Sequence, residues 1–244
     1  MNVYEVKQIS EALTSNAYPG RGIVLGLTED GSRAVAAYFI MGRSANSRNR
    51  VFTLREGELY TEPFDASRVE DPSLIIYAAL RKLGNRLIVT NGDQTDTVYE
   101  GLAAGKSFSE ALEARCFEPD APNLTPRISG LYTLETEQPR YALSILKSID
   151  PQGSDCARYT FSYPAKPGLG HFIHTYVRDG SPLPTFQGEP ERVALRFYRW
   201  HSREVSEKGP VRGVRDSGLH LWNFTSCASL GKLLHFSEPP SPRL

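Results

Sequence analysis

The order in which strand-like and helical segments follow one another is the feature that most constrains the fold of this chain. Strand-like runs come first, helical patterns occupy the middle, and further strand-like runs fill the second half. Parallel α/β folds instead alternate strand and helix along the whole chain. The order therefore predicts an α+β domain built in layers.

The first sixty residues contain two hairpin patterns. β-rich apolar runs at 22–27 and 34–41 flank a Glu-Asp-Gly turn, and the runs at 51–54 and 59–61 flank a Glu-Gly turn. Both patterns are typical of β-hairpins. Apolar residues at spacings of three and four across residues 3–14 predict a short amphipathic helix before them.

The centre of the chain carries helix signals. Asp71 followed by Pro72 suits a helix N-terminus, and Gly84 suits a helix stop, so the apolar residues between them predict a helix. A short buried strand is expected at 87–89. Residues from about 97 to 115 are expected to be largely helical, because they contain a capping box, Ser-x-x-Glu.

The second half is predicted to be mostly sheet. Its strand-like runs, separated by Pro, Gly and Asp turns, are residues 128–134, 141–149, 158–163 and 171–177. The Pro- and Ser-rich end, residues 237–244, is expected to be a disordered tail.

Charge and hydropathy exclude several function classes. The 28 Lys and Arg balance the 28 Asp and Glu, which argues against a general nucleic-acid or anionic-membrane binder. The longest apolar stretch, 34–41, is far shorter than the roughly 18–20 residues that cross a bilayer. No secretory signal pattern is present at the start, so a cytoplasmic protein is expected. Any anion site must be local.

Cysteine and histidine patterns favour no metal centre. The three cysteines are widely separated and odd in number, which suits reduced core thiols better than a disulfide framework. His171 and His174 lie three apart on a predicted strand and should face opposite sides. The sequence has no HExxH, paired CxxC, Walker or GxSxG motif, so no metal is expected.

Four polar segments lie beside predicted strands. Segment 42–50 presents three arginines, whose guanidinium groups match phosphate oxygens, although a solvated loop would look the same. In segment 90–97, Asp93 or Asp96 could serve recognition or simply cap the following helix. The remaining two are Asp120–Arg127, an extended segment with two prolines, and Tyr18–Arg21, which a plain turn would also explain.

Taken together, these segments resemble the archaeal-type IMP cyclohydrolase family, including its bacterial members. The matching stretches are Tyr18–Gly22, Gly42–Arg50, Asn91–Thr97 and Asn123–Arg127. The likeness covers about residues 15–190. It implies a single domain over 1–236, with residues 1–17 as an N-terminal helical extension and residues 191–236 only weakly matched.

The resemblance implies a four-layer αββα sandwich like that of N-terminal nucleophile hydrolases, without an N-terminal nucleophile. It also implies ring closure of 5-formamidoimidazole-4-carboxamide ribonucleotide to inosine monophosphate, with loss of water and without a cofactor. Its implied partner is a small purine nucleotide, with no nucleic acid or membrane. Exposed sheet edges would allow a homo-oligomer.

We assign candidate roles by residue type and position. The candidates for charge stabilisation and proton transfer are Arg21, Tyr60, Tyr99 and Glu100. The candidates for binding the phosphate or the heterocycle are Arg43, Ser44, Arg48, Asn49, Arg50, Asn91, Asp93, Gln94, Thr95 and Arg127.

Two other functions stay open at this point. The chain could bind a purine nucleotide without turnover, keeping the phosphate loop but not the ring-closing activity. Less favoured is an amide-bond hydrolase with an internal nucleophile, for which Thr14 or Ser15 would have to begin the first strand.

Overall fold

Strands predominate over short helices in this protein, which confirms the α+β class. The computed structural model describes residues 5–14, 16–42, 45–69, 72, 75–134, 139–177, 183, 190–195, 220–221 and 234–235. The elements in chain order are β1 (Lys7–Gln8), α1 (Ile9–Thr14), β2 (Arg21–Leu27), β3 (Ala34–Ile40), α2 (Ala45–Arg48), β4 (Val51–Arg55), β5 (Glu58–Glu62), a 3₁₀ turn (Ala66–Arg68), β6 (Tyr77–Leu83), β7 (Arg86–Thr90), α3 (Gln94–Ala103), α4 (Phe108–Leu112), β8 (Arg127–Thr133), β9 (Arg140–Ser148), β10 (Cys156–Pro164), β11 (Leu169–His174), β12 (Glu191–Ala194), β13 (His220–Leu221) and β14 (Leu234–His235).

The long strands form two sheets. The seven-stranded sheet has the order β10-β9-β8-β7-β6-β5-β4, so each strand pairs antiparallel with its neighbours in sequence. The five-stranded sheet has the order β1-β12-β11-β2-β3, and β1 runs parallel to β12. A separate two-stranded ladder joins β13 to β14.

Three groups of buried apolar side chains hold these elements together. The largest contains side chains of both sheets, so the sheets pack face to face. A second group lies between the five-stranded sheet and α1, and a third lies between the seven-stranded sheet and helices α3 and α4. Helices therefore pack against the outer face of each sheet.

Most of the expected elements are confirmed. Both early hairpins form, as β2–β3 and β4–β5. The strands of the second half appear as β8 to β11, and the capping box of Ser107 and Glu110 begins α4. The N-terminal helix is shorter than the predicted 3–14, because Lys7 and Gln8 pair with β12 and the helix starts at Ile9. Residues 237–244 lie outside the described part of the chain.

The helix expected between Asp71 and Gly84 is wrong. Pro72 begins a single turn, since its carbonyl accepts hydrogen bonds from the backbone N–H groups of Ile75 and Ile76, and β6 then pairs with β5 and β7. Gly84 has a positive φ of 57° in the two-residue turn that joins β6 to β7, where it serves a hairpin instead of ending a helix. Asp71 lies outside the described residues.

The polar segments meet at one end of both sheets. The register places the start of β8, the end of β7 and the start of β6 at one end of the seven-stranded sheet. The start of β2 lies opposite the end of β3 in the five-stranded sheet. Because the two sheets pack face to face, a site at this end draws side chains from both.

Candidate functional site

Arg21 is a buried cation at the first position of β2. Alternate residues of a strand face the same side, so Arg21 shares its side of β2 with Ile23 and Leu25, which face the other sheet. Only 9% of Arg21 is exposed. Its Nη2 atom lies 3.9 Å from Oε2 of Glu118. Among the described residues its Nε atom has no hydrogen-bond partner. A buried N–H donor without a partner is costly, which makes this atom a candidate ligand contact.

Glu118 supplies a buried carboxyl beside Arg21. It lies in the loop between α4 and β8, is 3% exposed, and its backbone N–H donates to the Thr125 carbonyl at 2.8 Å. Burial raises the pKa of Glu118; the charges of Arg21 and Arg127 oppose this without cancelling it. Glu118 is therefore easier to protonate than an exposed glutamate.

Arg50 adds a second cation with a free donor. It is 8% exposed and its Nε donates to the Ser47 carbonyl at 3.0 Å. Its Nη1 atom has no partner within the described part of the chain. The charge of Arg50 also lowers the pKa of Glu118, so the two groups lie near each other. We call Arg21, Arg50, Arg127 and Glu118 the arginine–glutamate cluster.

Two tyrosines border this cluster. The hydroxyl groups of Tyr38 on β3 and Tyr77 on β6 lie 2.7 Å apart, which joins the two sheets. Burial raises the pKa of both phenols, and the charges of Arg21 and Arg50 act in the opposite direction. Both phenols are therefore neutral hydrogen-bonding groups at neutral pH.

Arg127 begins β8 and is held by the loop before α3. Its Nη1 donates to Oδ1 of Asp93 and to Oε1 of Gln94, both at 2.7 Å. Gln94 in turn donates to Oδ1 of Asn91 at 2.9 Å, and Asn91 donates to the Pro126 carbonyl. These four predicted binding residues form one hydrogen-bonded network around the Gly92 loop, beside Glu118.

Gly92 lets the network close tightly. A Cβ at this position would lie 2.6 Å from Nη1 of Arg127, 2.7 Å from Oε1 of Gln94 and 3.6 Å from Oε1 of Glu118. A side chain here would therefore displace groups that the cluster uses. Glycine at this position therefore lets the loop approach Arg127 and Gln94 closely.

Asp93 joins two arginines instead of capping α3. It occupies the N-cap position, yet its side chain makes no capping hydrogen bond. Arg115 donates to its Oδ2 at 2.7 Å while Arg127 takes Oδ1. Partial burial alone would raise the pKa of Asp93, but Arg127 and Arg115 outweigh it and hold the pKa below the usual value. The carboxylate is thus charged at neutral pH.

Two other predicted binding residues shape loops. Thr95 is fully buried, 2.6 Å from the Thr90 hydroxyl and bonded to the Gly92 carbonyl. Asn49 exchanges two hydrogen bonds with the backbone of Asp65. Their side-chain groups are therefore engaged with the protein, where they fix the loops beside the cluster.

Among the other described residues of segment 42–50, Arg48 does not join the cluster. Arg48 is exposed and donates to the Gly42 carbonyl at 2.9 Å. Arg43 and Ser44 lie outside the described residues, so their assignment as phosphate ligands stays a prediction.

Three of the predicted catalytic side chains lie elsewhere. Tyr60 alternates with inward-facing Leu59 and so points to the outer face of the sheet, where its hydroxyl donates to Glu58. Tyr99 of α3 stacks on the guanidinium of Arg81, which is 3.8 Å from the ring centre. Glu100 is exposed on α3. The structure brings none of the three to Arg21.

Sequence reasoning missed Glu118, Tyr38 and Tyr77. Glu118 stands two residues before the segment Asp120–Arg127 that was singled out, so extending that segment would have included it. The two tyrosines lie inside apolar strand runs, where an aromatic residue predicts core packing. Nothing in the local pattern marks their hydroxyl groups as a pair.

The two histidines of β11 face opposite sides of their strand, as the sequence predicts. His171 faces the other sheet, stacked on Tyr163 and bonded to Tyr141, while His174 faces outward, toward Glu191. The described residues contain no group of three metal-ligating side chains, and none of their helices is long and apolar enough to cross a membrane. Thr14 ends α1 and Ser15 lies outside the described part.

Comparisons with known proteins agree on one family. The sequence profile described as IMP cyclohydrolase-like protein matches residues 18–209, most of the chain. Proteins named IMP cyclohydrolase from Methanopyrus kandleri, Methanococcus aeolicus and Methanocella arvoryzae are 35%, 27% and 31% identical over 123, 163 and 118 residues. These alignments cover 49%, 65% and 47% of this chain, and 60%, 74% and 57% of the relatives.

Proposed function

The chain belongs to the IMP cyclohydrolase-like family, and from this premise we propose that it closes the pyrimidine ring of 5-formamidoimidazole-4-carboxamide ribonucleotide. The products are inosine monophosphate and water. One observation supports this most: buried Arg21 and Glu118 lie side by side, with unpartnered donors on Arg21 and Arg50 among the described residues. Proteins named IMP cyclohydrolase are among its relatives.

We also propose that the chain has a four-layer fold. Two sheets with a shared core, α1 outside one of them, and α3 and α4 outside the other are compatible with the four-layer αββα sandwich of N-terminal nucleophile hydrolases. In such a sandwich the cluster would occupy one end of the space between the sheets. β2 begins with Arg21 instead of a Ser, Thr or Cys, which suits a reaction without a covalent nucleophile.

The reaction requires that the reacting groups of the substrate are positioned and that the charge on its formyl oxygen is stabilised. The carboxamide nitrogen of the substrate attacks the formyl carbon of the same molecule, so holding the two groups in the reactive rotamer removes most of the entropic barrier. The formyl oxygen gains negative charge as the new C–N bond forms. The resulting hydroxyl group must then leave as water.

Arg21 and Glu118 fit these two requirements. A guanidinium N–H without a partner can donate to the formyl oxygen as it becomes negative, and such a donor contributes about 10²–10³ in rate. Glu118 can take the proton that the carboxamide nitrogen loses and return one to the departing hydroxyl group. Its raised pKa suits both directions of transfer near neutral pH.

Arg50 suits the phosphate or the carboxamide oxygen. Its Nη1 has no partner among the described residues, and its charge acts on Glu118 and Tyr77. Arg127 has a different part in this proposal: Asp93 and Gln94 hold its Nη1, so it orients the Gly92 loop beside Glu118. Arg43 and Ser44 remain proposed outer phosphate ligands, whereas Arg48, which is exposed and bonded to the Gly42 carbonyl, has no part in this proposal.

An ultraviolet assay tests the proposal. Purified protein is mixed with the formamido ribonucleotide in the presence of EDTA, and the absorbance change of ring closure is followed. We expect turnover by the wild type, and a loss of at least about 100-fold in kcat for Arg21→Ala. The matched control is Arg48→Ala, which removes an exposed arginine and should keep kcat.

The outcomes separate the candidate functions. Turnover that Arg21→Ala loses and Arg48→Ala keeps would support ring closure at the cluster. Absence of turnover in a wild-type protein whose Tm rises with inosine monophosphate would contradict the enzyme proposal and favour nucleotide binding without catalysis.

A further inference from the structure

Two free cysteines lie near the loop that carries Glu118. Cys116 lies two residues before Glu118, and Cys156 is the first residue of β10. Both are partly exposed, the Cys156 thiol donates to the Ala157 carbonyl at 3.6 Å, and Cys116 lies close enough to act on the pKa of Cys156. The wide spacing and odd number of the cysteines predict reduced core thiols, whereas these two, with 39 residues between them, are both partly exposed.

The surrounding contacts fix this arrangement. One guanidinium, that of Arg158, donates to the Cys156 carbonyl at 3.0 Å and to the Arg115 carbonyl at 2.9 Å. Arg158 therefore holds the residue before Cys116 beside the start of β10, which brings the two cysteines to neighbouring positions.

We propose that Cys116 and Cys156 form an intramolecular disulfide by exchange with a low-molecular-weight disulfide such as oxidised glutathione. One protein thiolate attacks the glutathione disulfide, forms a mixed disulfide and releases one glutathione thiol. The second protein thiolate then attacks the mixed disulfide at the protein sulfur and releases the second glutathione. The two cysteines are oxidised, the glutathione disulfide is reduced, and the two thiol protons end on glutathione.

The bond locks a loop that is already in place. It closes a segment of about 40 residues that includes all of β8 and β9, which restricts the unfolded chain. Burial raises the pKa of Cys156 to about 11, and the neighbouring Cys116 acts in the same direction, so the exchange runs faster above neutral pH. The described contacts around Glu118 need not change.

The test uses the full chain with Cys227→Ser, which leaves the two cysteines of the pair. The protein is incubated with oxidised glutathione at pH 8.5, alkylated under denaturing conditions and mapped by peptide mass spectrometry. We expect a linked 116–156 peptide pair, no free thiol, and a Tm increase of several degrees that dithiothreitol reverses.

The single-cysteine proteins Cys116→Ser/Cys227→Ser and Cys156→Ser/Cys227→Ser are the matched controls. Each should take one glutathione and show no comparable Tm increase. Two alkylated thiols, or stable glutathione adducts on both cysteines of the Cys227→Ser protein, would overturn the disulfide.

Activity gives a separate readout that rests on the proposed function. We expect kcat of the oxidised and reduced Cys227→Ser proteins to agree within twofold, because the bond joins neighbouring residues that are not part of the arginine–glutamate cluster. A tenfold loss on oxidation would overturn the claim that the loop stays in place. Inactivity of both forms, with the linked peptide present, would count against the proposed function and support the disulfide.

Discussion

Glu118 is the residue on which the proposed proton transfer depends. Replacing it by Gln keeps the shape but removes the exchangeable proton, so we expect kcat to fall by about 10²–10⁴ with KM changed by less than about tenfold. Steady-state kinetics on the ribonucleotide measure both constants. Glu100→Gln, an exposed carboxyl on α3, is the control and should retain full activity. A wild-type kcat in Glu118→Gln would exclude the assignment.

Arg50 is expected to act mainly in binding. A charge-assisted hydrogen bond contributes about 1.5–3 kcal/mol, so Arg50→Ala should raise KM by about 10-fold or more. Its free Nη1 motivates this expectation. Arg48→Ala is the control, because Arg48 is exposed and bonded to a backbone carbonyl. If the two variants share the wild-type KM, Arg50 is not a ligand of the phosphate or base.

Among single residues, the sequence singled out the arginines of the cluster as candidates but not the groups that surround them. Arg21, Arg50 and Arg127 stand in polar segments beside strands, where an arginine is conspicuous. Glu118 was missed because its significance depends on burial beside Arg21, which lies 97 residues away along the chain. Tyr60 and Tyr99 were chosen by type, and strand alternation and the docking of α3 place them on the outer face.

Among the elements, β11 contacts β9 and β10 of the other sheet through a neutral histidine. Burial lowers the pKa of His171 to about 4, and the Arg192 charge acts in the same direction. An unfolded histidine has a pKa of about 6.5, so the unfolded chain binds the proton first. The stability that His171 contributes is therefore complete above about pH 6.5 and is lost as the pH falls toward 4.

Urea unfolding of the wild type and His171→Asn between pH 4 and 7 measures this contribution. We expect the free energy of unfolding of the wild type to fall more steeply over this range, by up to about 3 kcal/mol relative to the variant. Other acidic groups lose their contacts in both proteins and cancel in the comparison. Parallel pH profiles would show that His171 titrates normally in the folded state.

The elements themselves were predictable where a turn signal agreed with the strand pattern. Both early hairpins met that condition. The β6 segment did not, because its apolar residues fit a buried strand as well as a helix, and Asp-Pro and Gly suggested helix ends. Pairing on both sides, with β5 and β7, decides the outcome, and a local pattern contains no information about that pairing.

The whole molecule depends on how closely the two sheets approach. A Cβ on Gly130 of β8 would lie 2.9 Å from Cδ1 of Leu25 on β2 and 3.0 Å from Cγ1 of Val89. Gly130→Val should therefore cost about 1–3 kcal/mol by overpacking, which lowers Tm by roughly 3–10 °C. Turnover should also fall, since β2 begins with Arg21.

Differential scanning calorimetry checks this effect. Ser162→Val is the control, because it adds an apolar side chain at an exposed position of β10 and should leave Tm within about 2 °C of the wild type. A Gly130→Val protein as stable as the control would mean that the sheets separate at this point without cost.

The strand order has a consequence for synthesis on the ribosome. The seven-stranded sheet is a continuous meander from Val51 to Pro164, so each new strand can pair with the one made just before it. The five-stranded sheet combines strands that precede the meander in the sequence with strands that follow it. Its β2–β3 hairpin is therefore synthesised before its partners β11 and β12. A nascent chain that has reached residue 164 therefore exposes the inner face of its meander. The need for a chaperone is greatest in this interval, before β11 emerges from the ribosome.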